Sequence, residues 1–87
     1  MVDEDKVDDK DTLLSYRYLL GEMGIQMLTA ISRGASNKMS IQLLSGVPMA
    51  CVKGRLPVLM NLNLVSENNG KYIATKNGEK FLKVISS

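Results

Sequence analysis

At 87 residues the chain has room for one small domain with a single core. Hydrophobic residues make up 45% of it, nearly all aliphatic or Met, and that content excludes a disordered protein. The net charge of +2 divides unevenly, since residues 1–12 hold six acids against two Lys and residues 13–87 hold nine bases against three acids.

Residues 1–11, MVDEDKVDDKD, carry only two Val after Met1 and read as a disordered acidic tail ahead of a domain spanning 12–87. The carboxylates lack the Gly and distal Glu of a calcium-binding loop. Asp11 and Thr12 are good N-caps for a helix beginning at Leu13. From there Leu13, Tyr16, Leu20, Met23, Met27 and Ile31 recur at three- and four-residue intervals, as one buried helix face requires. Leu14, Leu28 and Ala30 widen that stripe beyond one packing partner. Gly21 and Gly24 each cost about 1 kcal/mol inside a helix, so the segment is one long helix or two hinged near Gly21. Arg33-Gly34 ends it with a base and a left-handed cap.

Ser36 or Asn37 can cap the next helix, with Met39, Ile41, Leu43 and Leu44 as its apolar face. It must stop by Gly46, because Pro48 pushes Val47 out of helical geometry. Pro48 suits the first position of a third helix running to about Leu62, which buries Val52, Leu56, Leu59 and Met60. Asn63 can take the left-handed position that ends it. Asn68-Asn69-Gly70 between Leu64-Val-Ser-Glu and Lys71-Tyr-Ile-Ala is a strong hairpin signal. Thr75 can cap a last helix through Ile85, with Phe81, Leu82 and Ile85 inward.

Two helices joined by Ser45-Gly46-Val47 have the layout of a helix-turn-helix, and the stretch Ile41–Val65 contains all of it. VPMACVKGRLPVLMNLNLV resembles the recognition helix and first wing strand of winged helix-turn-helix regulators, through Val47, Val52, Arg55, Leu56, Leu59, Asn63, Leu64 and Val65. YIATKNGEKFL resembles the Y-x-L-T-x-x-G-x-x-x-L ending of small archaeal and MarR-like members, and Met27-Leu28, Ile31 and Gly34 resemble their first helix. The resemblance covers about residues 25–85. It implies an α+β, mostly α, fold: a three-helix core, a two-stranded wing and a C-terminal helix, here with an extra N-terminal helical segment. It also implies sequence-specific binding of double-stranded DNA, transcriptional regulation and a homodimer. Two positions depart from the pattern. Pro48 replaces the usual Ser or Thr cap, and Asn63 replaces the usual Gly.

At about 100° per residue, with Val52, Leu56 and Leu59 inward, the third helix turns Ala50, Gly54, Pro57 and Asn61 outward. Lys53 and Val58 flank that face, and Arg55 stands at its border. Base edges in the major groove are read by Arg, Lys, Asn or Gln, so Lys53, Asn61 and a reaching Arg55 are the candidates. Pro57 leaves the Lys53 carbonyl without its donor, which predicts a kink or loosened turn over 53–57, eased by Gly54. Small residues here let the helix sit deep in the groove, with Met49 or Ala50 against thymine methyls. Alternatively the face has lost base reading and docks another protein, leaving a winged-helix protein-interaction module. The basic charge pattern and the fold favour DNA. Lys38 at the start of the second helix, Lys71 beside the wing tip and Lys76 at the start of the last helix are candidate phosphate contacts, and Asn69 completes the DNA-binding set. The acidic tail is a candidate competitor for the basic face.

Catalysis has little to stand on. The chain has no His, and Glu22, Glu67 and Glu79 fall on separate elements. A lone Cys51 excludes an internal disulfide, and without His there is no Cys/His metal site. No cofactor motif is present. No apolar run approaches bilayer length and the N-terminus is acidic, so a soluble, cytoplasmic protein is expected. Dimerisation is expected through the surplus apolar surface of residues 13–28, with the C-terminal helix as a second contributor.

Overall fold

The computed structural model describes residues 7–86; residues 1–6 of the expected acidic tail lie outside them. The elements are α1 (Lys10–Ser32), α2 (Lys38–Ser45), α3 (Met49–Asn61), β1 (Val65–Asn68), β2 (Lys71–Ala74) and α4 (Lys76–Ser86). This is the mostly helical α+β order expected from the sequence.

α1 begins three residues before Leu13. Its N-cap is Asp9, whose carboxylate accepts the Thr12 N–H at 2.8 Å, in place of Asp11 or Thr12. That backbone hydrogen bond lowers the Asp9 pKa, because it favours the charged carboxylate. Asp8, just outside the helix, is held across the molecule. Its N–H donates to Asn77 Oδ1 (2.7 Å), its carboxylate accepts from the Tyr16 hydroxyl (2.7 Å) and Asn77 Nδ2 (3.1 Å), and its carbonyl accepts from Lys80 Nζ (3.0 Å).

Burial, and then the Asp8 carboxylate, push Tyr16 up to about 12. A phenol whose pKa is raised on folding contributes stability that is present below about pH 10 and is lost as pH climbs toward about 12. Tyr16→Phe is therefore expected to flatten the alkaline fall in stability over that window. Urea unfolding of both proteins at stepped pH would check this, and equal falls would remove the Tyr16–Asp8 contact as its cause.

Of the two readings of residues 13–33, the structure takes the hinged one. Gly21 has φ 67° and ψ −179°, a region that glycine alone occupies readily, and α1 breaks there. The break redirects the chain so that Leu13 and Leu20 before it, and Met27, Leu28 and Ile31 after it, are all buried. Met23 falls outside the core, contrary to the periodicity, because the break shifts the helical phase.

α1 ends in a Schellman arrangement, with Gly34 N–H donating to the Ile31 carbonyl and Ala35 N–H to the Ala30 carbonyl (both 3.0 Å). Asn37 caps α2 through a reciprocal box with Ser40, and left-handed Gly46 (φ 76°) closes it. The chain then bends by 108° into α3, within the helix-turn-helix range. Pro48 is the residue just before α3 rather than its first helical one, and it supplies no side-chain cap. α3 runs through Pro57 as a continuous helix, so the loosened turn expected at 53–57 does not interrupt it. Its end repeats the Schellman pattern with Asn63 left-handed (φ 60°) and Leu64 N–H on the Leu59 carbonyl.

β1 and β2 form one antiparallel hairpin with Ser66 opposite Ile73 and Asn68 opposite Lys71. Asn69 and Gly70 both have positive φ, as a tight two-residue turn demands. Tyr72 N–H donates to the Ser36 carbonyl at 2.8 Å, tying the wing to the segment before α2. Val52, Leu56, Leu59, Leu64 and Phe81 join the α1 residues in one core. α2 contributes only Ile41; Met39, Leu43 and Leu44 are exposed, which corrects the apolar face expected for that helix.

Candidate nucleic-acid interface

α3 buries Val52, Leu56 and Leu59, and those three fix which side faces out. Ala50, Lys53, Gly54, Pro57, Val58 and Asn61 are exposed, and Met49 is half-buried at the first helical position. A Cβ added at Gly54 would meet nothing within 4 Å, so the centre of this face is open.

Arg55 does not join that face. Its Nη1 donates to the Leu20 carbonyl at 3.3 Å, beside the break in α1. A helix that stops at Leu20 loses the continuing turn whose N–H groups would serve its last carbonyls, and the guanidinium supplies one donor. Arg55 is therefore engaged in joining α3 to α1, a contact that its place at the border of the outward face does not reveal.

The other candidates surround α3 on separate elements. Lys38 is exposed at the first residue of α2, with Nζ 5.6 Å from the centre of the Tyr72 ring. That contact brings Lys38 to the wing, where Lys71 is exposed next to Tyr72 and Asn69 is exposed at the turn. Lys76 is exposed at the first residue of α4. Lys38, Tyr72 and Lys71 thus form one local group. Lys53 and Asn61 lie on α3.

Two side chains on the wing were missed in the sequence. Tyr72 is buried and carries Lys38, and Ile73 on the opposite side of the strand is about half exposed. The two-residue alternation of Lys71-Tyr-Ile-Ala carried the signal for both.

A winged helix-turn-helix family model matches residues 21–87. The chain belongs to the winged helix-turn-helix family. No curated protein matches it. In winged-helix terms α2 and α3 are the helix-turn-helix, β1 and β2 the wing, and the first half of α1 an addition ahead of the matched region. Among the described residues no single helix is long and apolar enough to cross a membrane.

Proposed function

We propose that this winged helix-turn-helix protein is a sequence-specific double-stranded DNA-binding transcription regulator, of the small archaeal or MarR-like type, acting in the cytoplasm as a homodimer. α3 enters the major groove and the wing, residues 64–74, lies on the backbone or minor groove. The observation that carries this reading is the outward face of α3. It leaves Lys53 and Asn61, two groups able to read base edges, exposed beside small residues that let the helix approach closely. Lys38, Lys71 and Lys76 then serve as phosphate contacts, which position the protein without selecting sequence. The role is one of binding, with no catalytic step. Exposed Tyr18, Leu19 and Met23 on α1 support dimerisation through residues 13–28, with α4 as a second contributor.

A second reading has its own support. Ala50, Pro57 and Val58 are exposed on the same face and offer nothing polar, as a protein-docking surface would. An electrophoretic shift on random duplex at 50 and 200 mM salt separates the two. A DNA binder using these lysines in a dimer should lose about a thousandfold in affinity over that range. No salt-sensitive shift would favour the interaction module. Lys53→Ala is expected to relax sequence preference by about tenfold, whereas Lys71→Ala should weaken cognate and random duplex alike. Equal losses for both variants on both duplexes would defeat the base-reading role of Lys53.

A further inference from the structure

α2 presents an unpartnered apolar side: Leu43 is 76% exposed, Met39 60% and Leu44 56%. Leu44 faces the second half of α1 across a groove lined by Ile25, Gln26, Thr29 and Arg33. A shallower depression against Leu43 shares Arg33 and Leu44, so the two make one continuous surface. Among the described residues, Arg33 is the only charged side chain lining either part.

The acid that matches it is on the same helix. Glu22 opens the second half of α1, and its Oε1 lies 3.5 Å from Nε2 of the groove residue Gln26. Residues 22, 26, 29 and 33 follow the spacing that places side chains in one row along a helix. The row therefore has an acid at one end, a base at the other, and neutral Gln26 and Thr29 between. A row charged in this way is complementary to itself when reversed. An isologous contact about a two-fold axis does that reversal, since residue i meets j and j meets i.

We propose that a second copy of this chain docks on the α1–α2 surface about a two-fold axis near Gln26 and Thr29. The two α1 segments run antiparallel, each Glu22 faces the other copy's Arg33, and Leu43 and Leu44 are covered. This deepens the homodimer reading above and rests on it. It adds α2 to the interface and names the charges that set its register. Residues of α3 and the wing take no part, so Lys53, Asn61 and Lys71 are left unused.

Sedimentation of the full chain at micromolar concentration tests the contact. Wild type should be a dimer. Arg33→Glu turns both cross-axis pairs repulsive, as does Glu22→Arg, and each should weaken dimerisation by about tenfold, equivalent to about 1.4 kcal/mol. The double variant E22R/R33E restores opposite charges and should recover the wild-type dimer. Leu43→Asp should also dissociate it while far-UV circular dichroism stays unchanged, because Leu43 makes little use of the protomer core. A dimer that ignores all these changes but falls apart with Tyr18→Asp would overturn this surface and keep the homodimer. A wild-type monomer would overturn both, and the random-duplex shift would still report DNA binding separately.

Discussion

Gly78→Ala is expected to lower the melting temperature more than any other single methyl added to this protein. Gly78 is buried in the first turn of α4, against the start of the wing. A Cβ there would lie 3.1 Å from the Leu64 carbonyl carbon and closer still to its oxygen, well inside van der Waals contact. Neither side can yield cheaply. Thr75 holds the start of α4 by accepting the Gly78 N–H (3.0 Å), and Thr75 N–H donates to that same Leu64 carbonyl (3.0 Å). Leu64 is itself fixed by its bond to the Leu59 carbonyl at the end of α3. Backbone would have to move against backbone, at a cost of about 3 kcal/mol or more. For a domain of this size that is a fall of roughly 12–24 °C, measurable by thermal circular dichroism. A change of only a few degrees would show that α4 is not seated on Leu64 in this way.

The second large effect belongs to Asn77, which is fully buried. Its side chain accepts the Asp8 N–H and donates to the Asp8 carboxylate and to the Leu62 carbonyl (3.3 Å). Asn77→Ala leaves the first and last of these backbone groups without that partner, a loss of roughly 2–3 kcal/mol. The loss should also be local. Asp8 is where the start of α1 is tied to α4, so amide exchange at Asp8 and in the first turns of α1 should accelerate more than in α3. Uniform acceleration would mean that Asn77 supports the whole core rather than this tie.

Side chains with a local pattern were legible in the sequence. The inward side of α3, the Asn37 cap, the left-handed Asn63, the Asn69-Gly70 turn and the Thr75 cap each follow from a few neighbouring residues, and each stands in the structure. The candidate interface was legible on the same terms, since burying Val52, Leu56 and Leu59 commits Lys53 and Asn61 to the other side. What the sequence did not show was whatever depended on a distant element. Arg55 sits at the border of the α3 face, and nothing near it in sequence says that the Leu20 carbonyl, 35 positions away, takes its guanidinium. α2 has four apolar residues, yet a helix of eight residues placed between α1 and α3 buries only Ile41.

By itself the sequence determined the order of elements, the turn at Ser45-Gly46-Val47 and the family, because caps, turns and periodicity are local and each needs only a short window. Only the tertiary structure decided that Gly21 breaks α1, that Asp8 is held by Asn77, and that Leu43 and Leu44 remain outside. Those outcomes turn on which surfaces meet. A glycine in an otherwise helical pattern permits a break but does not compel one; the packing of Leu13 and Leu20 against the core is what draws the first half of α1 out of line.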